Sequence, residues 1–281
     1  MIPIIVIGMH RSGTSMMVEI LEELGVFMGH SQDSNNEAHF FLEINQWLLS
    51  LTESSWLEFS DFALLMEDPL VLEKLSNYIK LFMSSTQIES FTGDLLYAKF
   101  KKNDLIWGWK DPRNTLTLPL WRKIFPECRV IHVYRNGLRV AESLVERSKK
   151  NRQTILDIIS VWNQYDEKVQ PPLSERTLRT YSMSLERGFG LWETYIQQAQ
   201  YHSNNMSTDE YIEISYEDFT INPIESIHNL SIWLGLDNDN AQLTRAASKI
   251  RTNTSNKDAE SEQHLPEFIK SSKYMRHYHY I

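Results

Sequence analysis

Arg11, Ser12, Gly13, Thr14 and Ser15 follow an apolar run, Ile4-Ile5-Val6-Ile7, that stops at Gly8; apolar residues at helical spacing resume at Met16 and run to Leu24. A strand, a tight loop and a helix N-terminus in that order form an anion site. The loop N–H groups converge on one point, and the helix adds the positive end of its dipole. Gly8, Gly13 and Ser15 keep the spacing of a nucleoside-triphosphate loop, but Thr14 stands where that loop places the Lys that reaches the β- and γ-phosphates. The cation in the loop is Arg11. The spacing therefore predicts a phosphate compound held by N–H groups, hydroxyls and one guanidinium, and argues against ordinary ATP or GTP chemistry.

Three further groups of residues end on apolar strands. The run Val130-Ile131-His132-Val133-Tyr134 leads into Arg135-Asn136. A magnesium-dependent triphosphatase keeps an Asp after such a strand, so here an anion site replaces a metal site, as a second phosphate on the ligand would require. The stretch Leu105 to Trp109 leads into Lys110-Asp111-Pro112-Arg113-Asn114, and Tyr211 to Ser215 leads into Tyr216-Glu217-Asp218-Phe219. Ligands of open α/β sheets bind outside the carboxyl ends of the strands, which brings all three groups to the crevice of the loop. Each has a plainer reading as well: a surface Arg at a strand end for Arg135, a core aromatic for Tyr216, and a structural ion pair with Asp111 for Arg113.

These residues resemble the sulfotransferase superfamily, whose members use 3′-phosphoadenosine 5′-phosphosulfate (PAPS). Its first signature, a basic residue followed by Ser-Gly-Thr-[Thr/Ser], is matched by Arg11-Ser12-Gly13-Thr14-Ser15, and the resemblance implies that these cradle the 5′-phosphosulfate. The second signature is an Arg-Asn pair with a Ser eight residues beyond the Arg, matched by Arg135, Asn136 and Ser143. It implies that Arg135 and Ser143 hold the 3′-phosphate. Tyr216-Glu217-Asp218-Phe219 with Asn222-Pro223 resembles a Tyr-Glu-Asp-Leu…Pro segment whose Tyr packs on the adenine, and Lys110-Asp111-Pro112-Arg113 resembles a run common in bacterial-type members.

The resemblance also implies the reaction. Sulfuryl transfer moves negative charge onto the bridging oxygen, so a cation beside it lowers the barrier without a metal. Arg11 is the candidate for that oxygen, with Lys110 beside it. The acceptor hydroxyl needs a general base. The His of the cytosolic branch's Lys-Thr-His run is absent, because Asp111-Pro112 follows Lys110. Other branches use a Glu in the segment after the first helix, where Glu37, His39 and Glu43 lie; Glu43 ranks first, then Glu37 and His39, each also readable as a solvated side chain. Two departures stand out: Met16 replaces the cytosolic branch's Trp, and the late Arg-Lys-Gly motif is missing, with Lys249, Arg251 and Lys257 as stand-ins.

The elements that must position these residues follow from pattern. Residues 26–38 read as a loop over the nucleotide. Helices are expected from His39 to Ser50, Asp68 to Ser84, Thr115 to Phe125, Gly137 to Lys149, Thr154 to Val169 and Ser174 to Tyr201, with a break at Pro171-Pro172. Asn222-Pro223 opens a further helix that Gly235 ends, and Thr252 to Gln263 is polar and mobile. The expected architecture is a single α/β domain over residues 1–281, a P-loop-type central parallel sheet flanked by helices. A helical insertion over residues 39–103 serves as an acceptor lid, and its aromatics (Phe40, Phe41, Trp47, Trp56, Phe59) are either core or stacking surfaces for sugar rings.

Composition sets the outer bounds. A net charge of −9 excludes a broad nucleic-acid surface, and no apolar run reaches the length of a membrane span. The one cysteine, Cys128, suits a reducing, cytoplasmic compartment. The leading expectation is therefore a PAPS-dependent sulfotransferase that releases adenosine 3′,5′-bisphosphate and acts on a sugar, a lipid-linked glycan or a small metabolite, with no metal. The rival readings are a P-loop small-molecule kinase and a non-catalytic sensor of the bisphosphate. The oligomeric state is left open.

Overall fold

A computed structural model describes residues 2–102, 105–162, 181–250 and 265–281. The chain divides into two compact units, Met1–Arg135 with Thr194–Gln263, and Asn136–Glu193 with His264–Ile281.

The first unit is built on a four-stranded parallel sheet of order β2-β1-β3-β4, formed by β1 (Ile4–Ile7), β2 (Gly108–Lys110), β3 (Arg129–Tyr134) and β4 (Tyr211–Ser215). All four residues of β1 are buried, as a central parallel strand covered on both faces requires. Alternation divides its side chains between two cores. Ile4 and Val6 join a cluster with Val18 and Leu21 of α1 (Thr14–Glu23) and with Ile131, Val133, Ile227 and Leu230. On the other face, where Ile5 is in register with Trp109, the core is aromatic. Phe41 of α2 (His39–Ser50) stacks on Trp109 at 4.0 Å, and Trp121 and Trp107 close around the pair.

The chain between β1 and β2 is helical beyond α2: α3 (Ser60–Met66), α4 (Pro69–Ser84), a 3-10 turn (Thr86–Ile88) and α5 (Glu89–Lys101) follow. Asp68 caps α4 by accepting from the N–H groups of Leu70 and Val71, with Pro69 in the first turn. Phe40, Phe41 and Phe59 are buried, Trp56 is half-buried, and Trp47 is 38% exposed against Tyr78. After β2 come α6 (Asn114–Ile124), then β3 and α7 (Gly137–Trp162). α8 (Leu185–Ser203), β4, α9 (Tyr216–Ile221), α10 (Pro223–Leu234), α11 (Asn240–Ser248), α12 (Glu267–Lys270) and α13 (Lys273–His277) complete the order.

The second unit packs aromatics on α7. A Cβ on Gly137 would lie 2.5 Å from the Trp192 ring, so glycine there lets the indole approach the helix backbone. Phe189 meets Phe268 at 5.6 Å, and the Ser272 hydroxyl, which also caps α13, donates to the Glu193 carboxylate at 2.6 Å.

Four expectations on the elements need correction. β2 is shorter and later than Leu105 to Trp109, so Lys110 lies in the strand itself. α1 begins at Thr14, two residues before Met16, because the left-handed Gly13 already turns the chain into the helix. α7 runs unbroken through residues 149–154, where no Gly or Pro stops it. α8 starts at Leu185, where Ser184 accepts the Arg187 N–H at 3.1 Å, and residues 181–184 are not helical. The expectations for Pro171-Pro172, Thr252 to Gln263, Arg251 and Lys257 lie outside the described residues. No helix among the described residues is long and apolar enough to cross a membrane.

Candidate active site

The loop after β1 is held from both sides. On one side Gly8, with φ 139°, approaches β3 so closely that a Cβ would sit 2.3 Å from the Val133 carbonyl oxygen. The buried Ser12 hydroxyl reaches the carbonyls of Met9 (2.7 Å) and Val133 (2.9 Å), so Ser12 braces the loop from within. On the other side the Gly8 N–H donates to Thr115 Oγ1 at 3.0 Å, and the Asn114 side-chain amide donates to the Val6 carbonyl at 3.2 Å. Both partners open α6, directly after Lys110-Asp111-Pro112-Arg113.

α6 contains Pro119, which has no N–H for the carbonyl of Thr115 four residues earlier. His202 of α8 supplies the missing donor, with Nε2 2.8 Å from that oxygen. Burial pushes the His202 pKa down to about 4, so the ring is neutral and donates one N–H. This chain from Pro119 through His202 and Thr115 to Gly8 was invisible in the sequence, because its members are scattered along the chain. The lone clue was a proline at an otherwise helical position.

What the braces leave is an open helix end. No side chain caps α1 at Gly13, and the first helical bond runs from the Met17 N–H to the Gly13 carbonyl. The N–H groups of Thr14, Ser15 and Met16 therefore have no intrahelical acceptor, which is the condition for binding an anion. Gly13 takes φ 99°, and Arg11, with φ 73°, is an exposed non-glycine residue in the left-handed region.

Beside this end lies a buried ionic cluster. Lys110 Nζ donates to the backbone carbonyl of Asn35, and the Ser15 hydroxyl donates to the same oxygen at 2.6 Å. Lys110 also pairs with Glu37 Oε1 at 3.3 Å, while Arg113 Nη1 bridges Glu37 Oε2 (3.3 Å) and Asp111 Oδ1 (2.9 Å). Asp33 shapes the loop that carries Asn35 and Glu37 by accepting both their N–H groups, at 2.8 and 2.9 Å. Burial raises its carboxyl, but those N–H bonds, the Asn35 side-chain amide and Lys110 together hold it below the ordinary value. Asn45 of α2 donates to Asp111 Oδ2 at 3.0 Å and accepts from Thr117 and Trp121, so the motif is fastened from the aromatic core as well.

Burial dominates the electrostatics here. It raises the Glu37 carboxyl above its ordinary value, reinforced by Asp111 and opposed by Lys110 and Arg113. It lowers the Lys110 ammonium against the pull of Glu37 and Asp111. For Arg113, Asp111 and Glu37 together outweigh burial and raise it. Both halves of the Glu37–Lys110 pair are thus displaced toward their neutral forms, as expected where desolvation rivals attraction.

The other predicted residues are placed as follows. Arg135, at the end of β3, lays its guanidinium carbon 4.3 Å from the centre of the Tyr216 ring, and Tyr216 opens α9 directly after β4. Ser143 lies on α7, in the second unit. His39 is exposed with Nδ1 2.9 Å from the Ser31 hydroxyl, and Glu43 is on the exposed side of α2. Lys249 is engaged elsewhere: it and Arg245 grip Glu23 (2.9 and 3.5 Å) at the C-terminal end of α1, the end remote from the loop.

A nucleotide carrying separate anionic groups fits this set of donors. The α1 N-terminus lacks a side-chain cap, Gly13 lets the Tyr216 ring close against the loop where a Cβ would fall 2.4 Å from Tyr216 Cδ2, and cations stand at Lys110 and Arg135.

These elements define an α/β protein with a four-stranded all-parallel sheet flanked by helices and an uncapped helix end after its first strand. The chain belongs to the Sulfotransferase family, which matches residues 3–240. Solved structures similar to it include the sulfotransferase domain from the curacin biosynthetic pathway, at 14% identity and TM-score 0.49 over 87% of this chain and 77% of that one. The sulfotransferase domain of the Synechococcus PCC 7002 olefin synthase is 16% identical, with TM-score 0.48 over 96% and 82%. Mouse sulfotransferase SULT7A1, complexed with PAP, is 12% identical, with TM-score 0.46 over 99% and 81%. No curated protein sequence matches the chain.

Proposed function

We propose that the protein transfers the sulfuryl group of PAPS to an acceptor hydroxyl on a carbohydrate or small metabolite, in line and without a metal. The observation that carries this reading is the carbonyl of Asn35. It accepts from Ser15 in the first turn of α1 and from Lys110, so the ammonium stands one oxygen atom away from the anion-binding helix end, with Glu37 in direct contact.

When bound, PAPS supplies the sulfuryl group, whose S–O bond to the 5′-phosphate breaks as the acceptor oxygen bonds to sulfur. The N–H groups of Thr14, Ser15 and Met16 hold the 5′-phosphosulfate, and Arg135 holds the 3′-phosphate. Lys110 and Arg11 offset the charge that grows on the leaving oxygen. Glu37 takes the acceptor proton. Its place against Lys110, which shares the Asn35 carbonyl with Ser15 of α1, favours it over Glu43 and His39, whose side chains face solvent. Helices α2 to α5 are assigned as the acceptor-side cover, and the lone buried Cys128 suits a reducing cytoplasm.

A transfer assay with labelled PAPS over a panel of sugars, phenols and aliphatic alcohols tests the reading. Labelled sulfate ester should form with at least one class, and Lys110→Met should abolish it. Magnesium-dependent ATP hydrolysis, with no sulfate transfer to any acceptor, would overturn it.

A further inference from the structure

Tyr216 touches both Gly13 of the loop and Arg135 at the end of β3. Its ring edge lies against Gly13, where an added Cβ would come within 2.4 Å of Cδ2 and 3.1 Å of Cε2. Its face carries the guanidinium of Arg135, with Cζ 4.3 Å from the ring centre, well inside the range of a cation–π contact. The ring is held in turn: Tyr216 is the first residue of α9, whose N-cap Ser215 accepts the Asp218 N–H at 3.2 Å, and Phe219 one turn on is buried in the core. The backbone that carries the ring is therefore anchored, and the ring sits as a wedge between Gly13 and Arg135. It meets the backbone of the loop on one side and the Arg135 guanidinium on the other.

We infer that Tyr216 is a specificity-determining residue that sets the separation between the 5′-anion site of the loop and the guanidinium of Arg135, and so selects nucleotides phosphorylated at a second ribose position. This rests on the PAPS reading of the site. It differs from a role as an adenine platform in what it predicts. A platform grips the base, which adenosine 3′,5′-bisphosphate and 5′-AMP share. A wedge affects only the ligand that also engages Arg135. Glycine at position 13 fits the same logic, since any side chain there would push the ring away from the loop.

The experiment is isothermal titration of adenosine 3′,5′-bisphosphate, adenosine 2′,5′-bisphosphate and 5′-AMP into the full chain and its variants Tyr216→Phe, Tyr216→Leu and Tyr216→Met, with a thermal melt of each. The parent should prefer the 3′,5′-bisphosphate to 5′-AMP, and Tyr216→Phe, which keeps the ring, should retain that preference. Tyr216→Leu should reduce the preference about 5- to 20-fold, the range of a lost partly desolvated cation–π contact, mainly by weakening the bisphosphate. It should also narrow the gap between the 3′,5′- and 2′,5′-isomers. Tyr216→Met, which fills a similar volume without an aromatic face, gives the same reading should the leucine variant melt early. Equal weakening of bisphosphate and 5′-AMP in the Leu or Met variant would overturn the wedge in favour of the adenine platform and leave the PAPS reading standing. A parent chain that binds none of the three nucleotides would overturn that reading and the wedge with it.

Discussion

Two ion-pair clusters of nearly equal geometry do opposite things in this protein. Glu37 stands 3.3 Å from both Lys110 and Arg113, and Glu23 stands 2.9 Å from Lys249 and 3.5 Å from Arg245. Each sets a glutamate against a lysine and an arginine. In the first, burial drives Glu37 up and Lys110 down, both toward neutrality. In the second, the Lys249 hydrogen bond lowers Glu23, and Lys249 itself is raised, both toward the charged form. Distance alone does not decide what an ion pair is for. Solvent does: the exposed cluster clips α11 to α1 with both partners held toward their charged forms, while burial holds Glu37 and Lys110 toward their neutral ones.

The sharpest way to break the contrast is at Glu37. Glu37→Gln should lower kcat by about 10²- to 10⁴-fold with little change in nucleotide affinity, as loss of a general base does. An unchanged kcat would reduce Glu37 to a counterion for Lys110 and Arg113. The second test is Lys110→Met, which leaves two buried carboxylates facing Arg113 alone. It should destabilise the fold by about 3–5 kcal/mol in chemical denaturation, the usual cost of orphaning a buried charge.

The pH profile tests the same pair. The ascending limb of kcat/KM should have its midpoint above the ordinary glutamate value of 4.5, as Glu37 must lose its proton, and the descending limb should fall below 10.5, as Lys110 loses its own. Glu37→Gln should flatten the ascending limb. Stability should respond in the opposite sense. The contribution of a raised carboxyl is present below its unfolded pKa and lost as pH rises through the folded one. That of a lowered ammonium is present above its unfolded pKa and lost as pH falls through the folded one. The cluster is therefore least stabilising in the window where both groups are charged, as a functional site is free to be. His202 adds an acid limb. Its lowered pKa means stability is lost as pH falls from 6.5 through about 4, which unfolding at stepped pH should show, and His202→Phe should remove that limb.

The smallest effect belongs to the exposed cluster. Glu23→Ala should leave kcat and bisphosphate affinity unchanged and move the melting temperature by no more than about 2 °C, because solvent screens the pair. A large loss of activity there would mean that the C-terminal end of α1 communicates with its N-terminal end, and the contrast would fail.

The sequence showed the loop, Arg135 and the Lys110–Arg113 run because local patterns carry them: a β-branched run, a glycine, a helix-spaced segment. It likewise marked α2, β3 and β4 at the bounds observed, and Asn222-Pro223 with Gly235 at the ends of α10. It did not show that α7 continues through residues 149–154, since a polar stretch without Gly or Pro suits a helix and a loop alike. Glu43 ranked ahead of Glu37 as the candidate base, because both follow the first helix and nothing local says which side chain is buried; packing buries Glu37 and leaves Glu43 exposed.

Local order along the chain thus determined which groups are available here: an uncapped helix end with cations at the ends of neighbouring strands. Which carboxylate has lost its water, which histidine answers the carbonyl that Pro119 leaves open, and which ring carries Arg135 were decided only by packing. Desolvation and the meeting of residues such as Asn35 with Lys110, or Gly13 with Tyr216, depend on segments remote in sequence, and a linear pattern holds no record of them.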